Sequence, residues 1–312
     1  MTMGDSNPLF GAIEAGGTKF VCAVGDASGR LLFEGRIPTE DPTSTFARVF
    51  EFFRSAEGMF GPLRAIGLAS FGPLDLNPMS RRYGHVLGTP KAGWTEFDVR
   101  GVIAAEFDVP VGFDTDVNAA ALAEARWGRG IGSPCIVYVT VGTGVGAGLV
   151  YHGASFLGVT HPEMGHIHVR RHPQDLHFAG VCPFHGDCLE GLASGSAIMA
   201  RKGQDLSAVP RDDVVWEMEA DYLGQLCAQL VVTVSPHRIL LGGGVMQQVQ
   251  LFPTISARMR HWLGGYIQSA EVQSDDFISP PGLGAQAGVK GALALAVAAA
   301  KPPMQRIVTG HR

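Results

Sequence analysis

The apolar positions of this chain alternate between short runs of strand length and longer stretches with helical spacing. Leu9 to Ile13 and Phe20 to Val24 are apolar runs separated by Glu14-Ala-Gly-Gly-Thr-Lys19. Two such runs around a Gly-Gly turn predict a β-hairpin. Thr45 to Ser55 carries helical periodicity. Ala65 to Ser70 reads as a buried strand ending in Phe71-Gly72-Pro73, and Val109 to Asp114 as another. Ends of this kind face the ligand crevice in open α/β sheets, which makes Gly72 and Pro73 candidate substrate contacts. Thr115-Asp116-Val117-Asn118 then opens an Ala-rich helix through Trp127. Asp116 at that junction suits a helix cap, and equally a general base within reach of a substrate hydroxyl.

The second half repeats the theme. Cys135 to Thr140 is a β-rich run, followed by Val141-Gly-Thr-Gly-Val-Gly-Ala-Gly148 and a further strand, Leu149 to Tyr151. Gly142, Gly144 and Ala147 satisfy the dinucleotide fingerprint only formally, because strand and not helix follows. The P-loop pattern is absent. Two Gly/Thr hairpins, one in each half, predict a duplicated fold whose halves clamp one phosphate chain. Val214 to Val234 predicts a long helix stopped by Pro236, and Arg238 to Leu241 a strand. Gly242-Gly-Gly-Val-Met246 is expected to open a helix, with room for a flat ring against the backbone. Pro280-Pro-Gly-Leu-Gly284 is a second turn of that kind, before a final helix from about Ala285 to Ala300 and a loose tail.

Composition narrows the classes. A chain of 312 residues suits two domains. Hydrophobic residues at 46% and charged residues at 17% describe an ordinary globular protein. The net charge of -5 argues against a nucleic-acid partner, which would call for a basic patch. No apolar stretch is long enough to span a bilayer, since Gln286 and Lys290 interrupt the nearest candidate. The N-terminal residues show no secretory signal, and an odd cysteine count fits reduced thiols, so the expected compartment is the cytoplasm.

The densest chemistry lies between His161 and Gly195, which hold six of the eleven histidines and two of the five cysteines. Cys182, His185 and Cys188 form C-x-x-H-x-x-C, and His166 upstream completes four soft ligands suited to a closed, structural zinc site. His172 and His177 are alternatives for the fourth ligand. The same cysteines also fit buried thiols or a disulfide, and His161, His168, His172 and His177 fit surface positions. Glu163 and Glu190 flank the ligands, so a bound metal would aim both carboxylates into one cleft.

In order along the chain, IEAGGTKF, DTDVNAAALAE, VTVGTGVGAG, HPEMGH, CPFHGDCLEGLASG and PPGLG together resemble the ROK family of sugar kinases, with the bacterial fructokinase branch as the best match. The resemblance runs from about Ile13 to Ala300. It implies an α/β chain with the actin-like ATPase (ribonuclease H-like) fold, two α/β domains around a cleft. The expected domains are 1–117 plus 285–312, and 118–284 with the zinc loop. It implies ATP-dependent phosphorylation of D-fructose to fructose 6-phosphate, with Mg²⁺ and a structural Zn²⁺. Asp116 is then the base. Gly16, Gly17, Thr18 and Lys19 belong to one phosphate loop and Thr140, Gly142, Thr143 and Gly144 to the other. Gly243, Gly244, Pro281 and Gly284 border the adenosine. Thr115, Glu163, His166 and Glu190 join Gly72 and Pro73 on the sugar. The family is often dimeric.

Three departures matter. Glu14 stands where most members have Asp, Thr115 where glucokinase-like members have Asn, and C-x-x-H-x-x-C replaces C-x-C with a later Cys. The last two, with TPKAGW, match the fructokinase branch. Other readings are a kinase for mannose, glucose or an N-acetylhexosamine, and a sugar sensor without catalysis. A ROK repressor would need a helix-turn-helix domain, and only thirteen residues precede Glu14.

Overall fold

The computed structural model describes residues 7–89 and 91–301. The expected loose tail, from residue 302, and residues 1–6 lie outside the described residues, as does Pro90 in the TPKAGW loop. The chain divides into two compact units. One runs to Asp116 and takes up the chain again from Ala292; the other spans Val117–Gly291.

The first unit contains β1 (Leu9–Ala15), β2 (Lys19–Asp26), β3 (Leu31–Pro38), α1 (Pro42–Phe60), β4 (Leu63–Ser70), α2 (Val99–Glu106) and β5 (Val111–Thr115). The sheet order is β3-β2-β1-β4-β5. The first three strands pair antiparallel, whereas β1, β4 and β5 run parallel. The central strands are almost wholly buried, as their unbroken apolar runs require. In contrast, β3 alternates exposed and half-buried residues along the sheet edge. Helix α1 outruns its predicted span at both ends. Asp41 caps it, accepting from the Ser44 amide at 3.0 Å, and Pro42 fills its first turn. Phe46, Val49, Phe53 and Ala56 form its buried stripe.

Helix α3 (Asp116–Trp127) starts at the border and leads into β6 (Cys135–Val141), β7 (Val145–Tyr151) and β8 (Ala154–Ser155). Next come α4 (Leu189–Ala193), α5 (Gly195–Lys202), α6 (Val215–Val234), β9 (Arg238–Gly242), α7 (Leu251–Leu263), α8 (Ala270–Gln273), β10 (Ile278–Ser279) and α9 (Ala287–Ala299). The second sheet has the order β10-β9-β6-β7-β8. Its pairing repeats that of the first, with β6 and β7 as the hairpin and β9 and β10 as parallel partners. The triple glycine does not open a long helix. A short 3₁₀ turn, Val245–Gln247, comes after it, and α7 begins only at Leu251.

The second chain crossing lies within α9. In the first unit this helix rests directly on strand backbone. A Cβ added at Gly67 would fall 1.8 Å from the Ala292 carbonyl oxygen, and one at Gly112 would fall 2.4 Å from that of Leu295. Only glycine admits so close an approach. Among the described residues, no helix is long and apolar enough to cross a membrane.

Candidate active site

In the first unit, parallel pairing brings Ala15, Ser70 and Thr115 side by side at the C-terminal ends of β1, β4 and β5. This edge is where open α/β sheets bind ligands. Glu14 is half-buried there, and its carboxyl is raised to about 7, first by burial and then by the charge of Asp116. Asp116, also half-buried, is the first residue of α3. Thr115 is buried, and its amide donates to the Asp114 carboxylate at 2.8 Å. Gly72 and Pro73 come after β4 and are exposed; the Phe71 amide before them donates to the Ala15 carbonyl at 2.9 Å.

The β1–β2 turn carries Gly16, Gly17 and Thr18, and Lys19 begins β2. The Gly16 amide is turned inward onto the Lys19 carbonyl at 3.0 Å. Thr39 donates to the Gly16 carbonyl at 2.8 Å, and the Lys91 ammonium donates to the Gly17 carbonyl. Neither brace is legible in the sequence, because both come from distant loops.

In the second unit, Thr140 ends opposite Gly242, next to the turn Gly142, Thr143 and Gly144. The Gly142 amide is likewise turned inward, onto the Gly144 carbonyl at 2.9 Å. Glu190 does not simply line a cleft. Its carboxylate accepts from the Val145 amide at 3.0 Å and lies against Gly144, where a Cβ would come within 2.4 Å. The 3₁₀ turn Met164–His166 packs on the same strand, with a Cβ at Gly165 only 1.8 Å from the Val145 carbonyl oxygen. Gly243 takes a positive φ of 95° and sits on the backbone of Val141, while Gly244 is exposed. Gly242 abuts Pro281, 3.0 Å from its would-be Cβ. The turn holding Pro281 and Gly284 therefore touches the triple-glycine turn, and the hairpin, Glu190 and both glycine turns form one contiguous set.

His161 does not take the surface position its sequence context fits. It is 9% exposed, and its Nε2 lies 2.8 Å from Glu163 Oε1. This hydrogen bond holds the Glu163 carboxyl below its ordinary value.

His166, Cys182, His185 and Cys188 come together, with one ligand atom from each all within 4.8 Å of one another. His166 Nδ1 lies 3.7 Å from Cys182 Sγ and 3.5 Å from Cys188 Sγ, and His185 Nδ1 lies 3.7 Å from Cys182 Sγ. Zinc bonds of about 2.3 Å to sulfur and about 2.0 Å to nitrogen set tetrahedral edges of about 3.5 Å, so this donor set fits that ion. Burial pushes the Cys188 thiol up to about 11. His172 and His177 are not members of the cluster; the ring of His172 instead accepts from the Gln174 amide at 3.3 Å.

Two sheets of one topology, each closed by a glycine hairpin at its C-terminal strand edge, define the actin-like ATPase fold. The ROK family model matches residues 10–299, and the chain belongs to the ROK family. It is 44% identical over 293 residues to a fructokinase of Pediococcus pentosaceus, covering 94% of this chain and 99% of that protein. It is 42% identical over 300 residues to a fructokinase of Zymomonas mobilis, covering 95% and 99%. The crystal structure of a ROK hexokinase from Thermus thermophilus superposes with a TM-score of 0.76 at 28% identity, over 92% of this chain and 97% of that one.

Proposed function

We propose that the protein transfers the γ-phosphate of ATP to D-fructose, giving fructose 6-phosphate and ADP. The observation that carries the sugar is the identity of 42 to 44% to fructokinases over nearly the whole chain. Asp116 is the general base. Its carboxylate takes the proton of the 6-hydroxyl as that oxygen bonds to the γ-phosphorus, and the bond to the bridging oxygen breaks to release ADP.

The first unit also supplies Gly17, Thr18 and Lys19 to the phosphates, because the Gly16 amide is committed to its own hairpin. Thr143 and Gly144 take the same part in the second unit. Glu14 is the carboxylate that would hold the Mg²⁺ accompanying ATP, an ion that would offset phosphate charge. Glu163, held by His161, joins Glu190, Thr115, Gly72 and Pro73 on the sugar. His166 turns Nδ1 to the two thiols, which leaves Nε2 for a sugar hydroxyl. The four-donor cluster would hold a structural Zn²⁺, which would tie the Glu163–His166 segment to the 182–188 loop; four protein donors suit a structural rather than a Lewis-acid role. Gly243, Gly244, Pro281 and Gly284 border the adenosine.

The enzyme is cytoplasmic and works on small molecules without nucleic acid. A homodimer is its assembly, to be checked by light scattering. An ADP-release assay across fructose, mannose, glucose and N-acetylhexosamines tests the reaction. Highest kcat/KM with fructose is expected; a preference for another hexose would move the substrate, and no ADP release with any sugar would remove the kinase reading.

A further inference from the structure

Glu124 has no part in the chemistry described so far, yet it is fully buried in α3. A buried carboxylate is costly unless its oxygens are satisfied. Here three backbone amides satisfy it. Oε2 accepts from Arg129 at 2.9 Å and from Gly282 at 2.9 Å, and Oε1 accepts from Leu283 at 2.8 Å. Its two flanks are glycine. A Cβ at Gly128 would come 2.1 Å from Oε2, and one at Gly282 would come 3.4 Å from it and 2.9 Å from the Arg129 nitrogen. The carboxylate thus sits in a cradle of N–H groups, of the kind that otherwise binds phosphates.

Gly282 and Leu283 lie in the Pro281–Gly284 turn, and Pro281 in turn abuts Gly242. Leu283 also packs on the cluster formed by Ala120, Ala121, Ile136 and Tyr138. Beside these packing contacts, the Gly282 and Leu283 amides of the turn find their acceptor in this carboxylate. We propose that Glu124 is a positioning residue for the nucleoside: it clamps the Pro281–Gly284 turn against the triple-glycine turn so that the slot for adenosine keeps its width. The proposal rests on the ATP reading above. Glu124 lies eight residues after Asp116 in the same helix, so one element carries the base at its start and the clamp two turns on.

The test is Glu124→Gln in the full-length enzyme, with KM for ATP, KM for fructose and kcat measured beside thermal melting and calorimetric binding of ADP. The amide keeps the volume but sets an N–H₂ against a backbone donor. The expected result is a rise of about tenfold in KM for ATP and in Kd for ADP, with KM for fructose and kcat within about twofold of the parent. Should that variant fail to fold, Gly282→Ala displaces the same turn from the other side and is expected to give the same split. A parent that neither binds ADP nor releases it from ATP removes the ATP reading and this inference with it. A parent that does both, beside a folded variant with unchanged nucleotide affinity, overturns the inference alone. So does an equal rise in both KM values with a lowered melting temperature, which marks a merely structural carboxylate.

Discussion

The two sheets are built to one plan and furnished differently. In each, a long hairpin pairs with two parallel strands, and the third antiparallel strand forms the edge. The first unit places titratable groups at the working edge: Glu14 in β1, Asp116 after β5, and Lys19 and Lys91 at the hairpin. At the matching points the second has Thr140 near the end of β6, Val145 at the start of β7 and Pro280 after β10. Where β5 runs into Thr115-Asp116, β10 runs into Pro280 and Pro281. Both hairpins are steadied from outside, the first by Thr39 and Lys91 and the second by Glu190 and the turn at Gly165. Equivalent strand ends thus offer equivalent platforms, and the residues just past each strand divide the chemistry between them.

The hardest break in that comparison is Asp116→Asn. It leaves the strand–helix junction intact and removes the carboxylate that sets the first junction apart from the second. A fall in kcat of about 10²–10⁴-fold is expected, with fructose binding retained in a direct titration. Near-normal turnover would make Asp116 a helix cap. Next in size is the metal cluster. One zinc per chain is expected by elemental analysis, and Cys182→Ser with Cys188→Ser should remove it. Folding free energy of several kcal/mol goes with a structural zinc, so the second unit should melt earlier and fructose affinity should fall. Metal-free protein with unchanged fructose kinetics would refute this.

The two glutamates sharpen the contrast within the second unit. Glu190 touches the hairpin, whereas Glu163 pairs with His161. Glu190→Gln should therefore raise KM for ATP and for fructose together, each by about tenfold, or about 1.4 kcal/mol. Glu163→Gln should raise KM for fructose alone. A rise in KM for fructose alone from Glu190→Gln would separate Glu190 from the phosphate side.

The smallest effect is one of pH. In the folded protein the Glu14 carboxyl is raised from its ordinary value to about 7. The folded state therefore binds a proton more tightly than the unfolded state does, and this contribution to stability is complete below about 4.5. It is lost as pH rises through about 7. The melting temperature of metal-free protein should fall over that window, and Glu14→Gln should flatten the fall. Saturating Mg²⁺ with nucleotide should reverse it, since a cation favours the ionised carboxylate.

Most of this plan can be read from the chain, because buried strands and glycine turns leave strong local marks. The hairpins, the strand ending at Ser70, the helix opening at Asp116 and the C-x-x-H-x-x-C triplet declare themselves in spacing, whereas the choice of His166 over His172 and His177 as the fourth member of the cluster does not. Other elements leave weaker marks. Strand β3 has no unbroken apolar run, since Leu32, Glu34 and Arg36 face solvent in alternation. Strands β8 and β10 are two residues long, too short for any period. Helix α7 carries Leu251, Ile255, Met259 and Leu263 at four-residue spacing, a stripe masked by the glycines before it. Glu124 and His161 look like solvated residues in sequence; only tertiary pairing with distant amides and with Glu163 shows their use. Lys91 and Thr39 belong to the same class, as side chains whose partners lie far along the chain.

The seat of α9 on Gly67 and Gly112 has a consequence for how the protein is made. A ribosome delivers the strands of the first unit early, but the helix that covers them comes from the last described residues of the chain. At about 5–20 residues per second, the exposed backbone of β4 and β5 waits roughly ten to forty seconds for its cover. The second unit, uninterrupted in sequence, is complete before then. The first unit is finished only once α9 has emerged, and until then Gly67 and Gly112 stand uncovered.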